Sequence, residues 1–354
     1  MSQSTSERPP GSEPDKPLIV DLDGTLIRNE LPPELFVLIA RWKPWLLPLA
    51  VFRMLRSRPQ TKAWMVSKIG HHIDPEHLPY DPDVLALIED HCANGGKAEL
   101  VSGSDHVLVE RIASHIGTFV SAQGSYGTTN LVSAQKASYL TERHPEGFHY
   151  VGNSGQDIKV WRAAAAGYGI RAPSAAYDLT HEDGAAIVEM TVHKSRSLAP
   201  LVEQLRLHHW AANLLVFAVP IFLAPQLGTA DWLLLLQAFL CFCMMASGTY
   251  LLDDLFAIPD NRADPARRHR PLASGRLSVT RAAGIMGLFM IGSILWATQL
   301  GLAFMLVLLA YLITSIAYSL HLKRIAGFNI VIPAVSLCLR VIAGAAVVGA
   351  LPAV

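Results

Sequence analysis

Two places in this 354-residue chain gather carboxylates in patterns that could do chemistry. Asp21 and Asp23, in DLDGTL, directly follow the short apolar run Pro17 to Val20, which predicts a strand. Open α/β sheets bind their ligands beyond the carboxyl ends of the strands. One residue apart, both carboxylates can face one pocket once the strand breaks at Gly24. The first could attack phosphorus to form an aspartyl phosphate, and the second could shuttle a proton. Ser102, ending KAELVS, could hold a phosphoryl oxygen, and Lys136 could neutralise the phosphate. Asp157, in GNSGQD, could hold Mg²⁺.

The second place is YLLDDLFAIPDNRADPARRHRPLASG, residues 250–275, which comes straight off the apolar run DWLLLLQAFLCFCMMASG. Four carboxylates (Asp253, Asp254, Asp260, Asp264) and five arginines (Arg262, Arg267, Arg268, Arg270, Arg276) thus crowd one end of a membrane-length segment. Acids there are costly unless they hold a cation or a partner. Arginines beside them suit the oxygens of a phosphate or diphosphate. A plain charged loop on the cytoplasmic side would need the arginines but gives no reason for the acids. At the opening end of the preceding span, Arg206, His208, His209, Trp210 and Asn213 form another polar group, in which the Asn213 amide could serve a polar headgroup.

The elements that must position these groups fall into two unlike halves. Residues 1–204 carry 19 Lys and Arg against 24 Asp and Glu, whereas residues 205–354 carry only 10 and 5. The formal net charge of zero therefore conceals an acidic soluble half and a sparsely charged, basic one. Residues 1–16 read as a polar, proline-rich disordered tail rather than a signal peptide. Helix-like and strand-like segments then alternate, as in a parallel doubly wound sheet. The apolar stretch LFVLIARWKPWLLPLAVFRMLRS is too interrupted for a span, and either lies on a membrane surface or caps the soluble site. Five apolar segments follow near residues 209–226, 232–252, 281–298, 301–320 and 328–350. Lys and Arg fall in the connections after the second and fourth, so the N-terminal half is expected in the cytoplasm and the bundle in the inner membrane. The four cysteines, Cys92, Cys241, Cys243 and Cys338, fit neither a zinc site nor a disulfide framework.

The set Asp21, Asp23, Ser102, Lys136 and Asp157 resembles the haloacid-dehalogenase (HAD) superfamily over residues 17–195. The resemblance implies a Rossmann-like parallel sheet, with Asp21 as nucleophile and Asp23 as acid/base. It also implies Ser102 and Lys136 on phosphate, and Asp21 and Asp157 on Mg²⁺. Asn153 stands where that family usually has Asp, which removes one negative charge beside the metal.

LRLHHWAANLLVF, the acidic-to-basic loop with its RPLASG, AYSLHLKRIAG and CLRVIAGAAVVG together resemble the UbiA superfamily of intramembrane prenyltransferases, in particular the decaprenyl-phosphate phosphoribosyltransferase type. Residues 196–208 would be an amphipathic linker and 209–354 an all-α transmembrane bundle of about five spans. The resemblance implies Asp253 and Asp254 as Mg²⁺ ligands and Asn213, Arg268 and Arg270 on a diphosphate. The family's next two motif acids are replaced by Ala257 and Asn261. A second acidic motif, expected further along such a bundle, is not reached, so the chain is expected to hold a first half that a second copy or another chain completes.

The function expected is transfer of a prenyl or phosphoribosyl group from a Mg²⁺-bound diphosphate donor to an acceptor. The partners would be a polyprenyl diphosphate or lipid phosphate and membrane lipid; no nucleic acid is expected. The alternative is a membrane-tethered HAD phosphatase whose helices are an anchor or an impaired domain.

Overall fold

A computed structural model describes residues 15–179, 187–189 and 198–350 of the chain, which divides into two compact units, Met1–Arg196 and Ser197–Val354. Of the expected tail over residues 1–16, all but Asp15 and Lys16 lies outside the described residues.

The first unit is a parallel sheet with strand order β3-β2-β1-β4-β5-β6. The strands are β1 (Leu18–Val20), β2 (Ala98–Asp105), β3 (Ser121–Ser125), β4 (His149–Gly152), β5 (Ala166–Gly169) and β6 (Val188–Glu189). β1 and β4 are buried throughout, the pattern of strands covered on both faces. β1 pairs with β2 on one side and with β4 on the other, so strand order reverses there. A crevice opens at such a switch point, beyond the carboxyl ends.

Three helices, α1 (Leu31–Trp42), α2 (Leu47–Arg56) and α3 (Arg58–Ile69), stand between β1 and β2 in sequence, followed by α4 (Pro82–Ala93). Leu31, Leu35, Leu38 and Ile39 of α1 share a core with Met65 and Ile69 of α3 and with Leu18 and Val20 of β1. The interrupted apolar stretch is thus packed onto the soluble unit. Helices α5 (His106–Ile116), α6 (Ala134–Arg143), α7 (Ile158–Trp161) and α8 (Ser174–Tyr177) complete the winding. Sequence dictates their ends: Asp105 caps α5 by accepting from the Val107 amide, and Gly117 at φ 76 closes it.

The second unit opens with α9 (Ala199–Leu205), which lies within the segment expected to be a linker. A single span candidate runs from Ala199 to Phe222, ten residues earlier than the expected segment near residue 209. It is not a continuous α-helix: Arg206 sits at φ 50, residues 207–217 are 3₁₀-helical, and α10 (Ala218–Phe222) follows. Four longer helices complete the unit: α11 (Thr229–Phe256), α13 (Val279–Ala297), α14 (Leu302–Leu320) and α15 (Phe328–Val347), with the short α12 (Ile258–Ala263) after α11. Together these make five helical segments long and apolar enough to cross a membrane.

With 28 residues, α11 rises about 42 Å at ~1.5 Å per residue, more than the ~30 Å hydrocarbon core. Its last turn, with Asp253 and Asp254, can therefore clear the apolar zone. Phe242, Phe304, Leu308 and Tyr311 fill the interior of the bundle, while Leu288, Ile291 and Leu295 are exposed along one side of α13 at helical spacing. Close backbone approach holds the first span against α15: a Cβ at Gly344 of α15 would overlap the Val216 carbonyl oxygen of the first span.

Candidate functional sites

In the soluble unit the chain leaves β1 at Asp21 and turns at Gly24, whose φ of 74 suits glycine. A side chain there would collide with the Asn153 amide across the crevice. The turn brings Asp21 and Asp23 to a cavity of about 420 Å³, also lined by Lys136, Asn153, Asp157 and Lys62.

Lys136, 3% exposed on α6, donates to Asp21 Oδ1 at 2.7 Å and to the Tyr150 hydroxyl at 3.1 Å. Tyr150 donates in turn to Asp157 Oδ1 at 2.6 Å. Asp157 Oδ2 accepts from the Ser154 amide (2.9 Å) and hydroxyl (2.7 Å) and from the Asn153 amide (3.2 Å). One line of charge and hydroxyl thus runs from the β1 end to the β4 end. Burial pushes the Asp21 carboxyl up to about 7; Lys136 opposes this and Asp157 adds to it. Burial pulls the Lys136 ammonium down, but Asp21 and Asp157 outweigh it and leave it raised.

Asp23 is anchored differently. Its Oδ2 accepts from Ser104 Oγ (2.6 Å) and Ser102 Oγ (3.2 Å), and its Oδ1 from the Leu31 amide at the start of α1 (2.7 Å). Ser102, expected on phosphate, is fully buried and spends its hydroxyl on Asp23. Three residues escaped the sequence reading. Tyr150 and Ser104 carry no motif of their own. Lys62 on α3 reaches Gly103 O at 2.6 Å and Asn130 Oδ1 at 3.1 Å from 41 and 68 residues away. Burial pulls its ammonium down, partly offset by Asp23.

Whether Mg²⁺ suits this crevice can be judged from its donors. Asp21, Asp157 and Asn153 present hard oxygen ligands to one cavity. Asn153 Oδ1 is buried there with no hydrogen-bond partner, which is expensive unless something is bound. The residues fit the ion.

The membrane unit behaves otherwise. Asp254, 2% exposed at the end of α11, is enclosed by donors. Arg206 Nη2 approaches Oδ1 at 2.8 Å and Oδ2 at 2.7 Å, Arg270 Nη1 donates to Oδ1 at 3.0 Å, and the Gln204 amide donates to Oδ2. Asp253 points elsewhere, to Lys323 Nζ at 2.6 Å. The two expected metal ligands are therefore each matched to side-chain cations and do not converge. Ala257 and Asn261 supply no charge nearby, and this donor set does not fit Mg²⁺ as placed. Of the residues expected on a diphosphate, Arg270 lines a cavity of about 270 Å³ with Arg206, Gln204, His208, His209, Asp254 and Glu203, the last paired with Arg276. Arg268 is exposed on the loop. Asn213 is fully buried and belongs to another group.

That group surrounds Arg340 in the middle of α15, 3% exposed. Its Nε donates to Asn213 Oδ1 at 2.7 Å and its Nη1 to Ser336 O and Oγ at 2.6 and 2.8 Å. Its guanidinium lies over the rings of Phe242 and Tyr311 at 5.5 and 5.1 Å. Asn213 completes its own bonding with Cys243 Sγ at 3.2 Å. This mid-span charge is thus bonded, though to neutral groups. Gln204 gave no signal in sequence and Arg206 stood only in the polar group near the first span, because each lies about 50 residues from Asp254.

Comparison with known proteins bears on both units. Residues 214–353 match the family model described as UbiA prenyltransferase family. The uncharacterized protein y4nM of Sinorhizobium fredii is 33% identical over 341 residues, which is 93% of this chain and 63% of that protein. The decaprenyl-phosphate phosphoribosyltransferase of Mycolicibacterium smegmatis is 31% identical over 148 residues, 41% of this chain and 46% of the relative. The chain thus spans less than two thirds of the length of either. Among solved structures, phosphoserine phosphatase in apo form aligns with a TM-score of 0.35 and 17% identity, over 50% of this chain and 94% of that one.

Proposed function

Residues 214–353 are a UbiA prenyltransferase family domain, and on that premise we propose that the protein is a two-site membrane enzyme. The membrane unit transfers a prenyl or phosphoribosyl group from a diphosphate donor to an acceptor, and the soluble unit hydrolyses a phosphate monoester. The observation that carries the first assignment is the Arg206–Asp254–Arg270 cluster at the end of a span. Two guanidiniums beside an open cavity form a receptor for an anionic headgroup such as a polyprenyl diphosphate or a lipid phosphate. Asp254 holds the two guanidiniums in place at the cavity for an entering diphosphate. The soluble unit would face the cytoplasm and the bundle would cross the inner membrane, as the placing of Lys323 and the arginine loop supports.

In the soluble crevice, Asp21 attacks phosphorus, the phosphorus–oxygen bond of the ester breaks, and the leaving alcohol takes a proton from Asp23. Water then attacks the aspartyl phosphate, Asp23 accepts its proton, and inorganic phosphate leaves. Lys136 holds charge against Asp21 throughout, and Tyr150 fixes Asp157. Mg²⁺ held by Asp21, Asp157 and Asn153 would supply charge neutralisation for the phosphoryl oxygens.

The two assignments separate in one experiment on the full chain in nanodiscs. Asp254→Ala should abolish transfer to lipid and spare phosphatase activity, and Asp21→Asn should do the reverse. Transfer that survives Asp254→Ala unchanged would refute the membrane assignment.

A further inference from the structure

The helices that roof the phosphate crevice also present an apolar face outward. On the inner side, Met54 of α2 and Arg58 and Lys62 of α3 line the cavity. On the outer side, Trp45 is 71% exposed, Leu49 43%, Phe52 55% and Leu55 83%. Leu49, Phe52 and Leu55 recur every three residues, so they share one side of α2, and Trp45 stands one turn ahead of them.

Charge in this stretch is one-sided. Between Glu34 and Asp74 the chain carries seven Lys or Arg residues and no Asp or Glu, within a half that is otherwise acidic; Arg41 is buried and Arg58 and Lys62 line the crevice, which leaves Lys43, Arg53, Arg56 and Lys68 for the outer surface. Arg56 lies over the Phe52 ring at 5.3 Å, at the rim of the apolar strip. An apolar strip with a tryptophan and a basic rim is the composition of a helix that lies in a bilayer interface. A protein partner would be expected to meet a more mixed rim, and the same chain carries five span candidates that keep a bilayer within reach.

We propose that α2 docks the soluble unit on an anionic lipid surface, so that the crevice behind it takes a phosphate monoester carried by a membrane lipid. The substrate class rests on the phosphatase reading above; the docking does not. The pairing has a chemical logic, since phosphoribosyl transfer to a lipid would leave a phosphate monoester on that lipid.

The docking test uses the full chain in nanodiscs, with Cys92 and Cys338 replaced by Ser and a fluorophore attached at Leu55→Cys. In discs containing phosphatidylglycerol, nitroxide lipids should quench the label and aqueous iodide should not. A control label at Glu110→Cys, exposed on α5, should show the opposite. Lipid quenching should fall at least twofold in phosphatidylcholine discs or at high salt. Iodide access at Leu55→Cys equal to the control would overturn docking. Protection from iodide without lipid quenching would assign the face to a protein and overturn it equally.

The substrate class is tested with the double variant Phe52→Asp/Leu55→Asp. Hydrolysis of vesicle-borne phosphatidic acid should drop at least tenfold while hydrolysis of p-nitrophenyl phosphate stays unchanged. Equal loss on both substrates would overturn the lipid assignment. A wild-type chain inert towards both would instead refute the phosphatase reading, leaving the fluorophore result to decide the docking.

Discussion

The two sites handle buried carboxylates in opposite ways. In the soluble crevice, Asp21 and Asp157 share one lysine, with Asn153 Oδ1 left without a partner beside them. At the end of α11, Asp254 alone holds two arginines and an amide. The first site offers carboxylate and amide oxygens to one cavity beside Lys136, Lys62 and Arg58. The second sets two guanidiniums against Asp254, with Glu203 on the same cavity. A buried charge is tolerable only when matched, and the two sites match theirs with different groups.

This contrast can be broken at several points. Asp21→Asn should lower phosphate-ester hydrolysis on the order of 10⁴-fold, as loss of a nucleophile does, with transfer activity intact. Equal loss of both activities would mean the sites are not separate. Gly344→Val forces a side chain into the Val216 carbonyl and should destabilise the bundle by about 3 kcal/mol without touching the soluble unit. Thermal unfolding of the detergent-solubilised protein, followed separately for each unit, would show this. Asn213→Ala deprives the Arg340 guanidinium of an acceptor in the apolar interior and should cost about 1–3 kcal/mol in the same assay. The smallest change sharpens the cation side: Asn153→Asp should tighten Mg²⁺ about tenfold, equivalent to ~1.4 kcal/mol, read by titration of phosphatase activity with the metal. Unchanged affinity would remove Asn153 from the ligand set.

Much of the soluble site was legible because its groups sit at strand ends, where chain order fixes position. Asp21 after β1 and Asp157 after β4 fall on either side of the switch point that alternating segments imply. Its second layer was not legible: Tyr150 and Ser104 look like ordinary strand residues until the sheet places them against Asp157 and Asp23. In the membrane unit, apolar length exposed the later spans, but the first was misplaced because Arg206 and the 3₁₀ stretch break its periodicity. Asp253 and Asp254, read together in sequence, have separate partners in the structure. Adjacent residues on a helix point about 100° apart, and here each finds its own cation. The apolar stretch over α1 and α2 was ambiguous for a physical reason, since a roof with one wet side satisfies the same pattern as an interfacial helix.

The bond between Arg340 and Asn213 also sets an order of events. The acceptor lies in the first span of the membrane unit and the donor 127 residues later, in α15. Until α15 arrives, the Asn213 amide oxygen lacks its Arg340 donor, and the groove that Gly344 will fill stands open. Early in biogenesis this segment is therefore the poorest candidate for stable insertion by itself. Its residence in the bilayer becomes secure only when α15 packs against it, so membrane integration of this segment depends on a helix made 127 residues later.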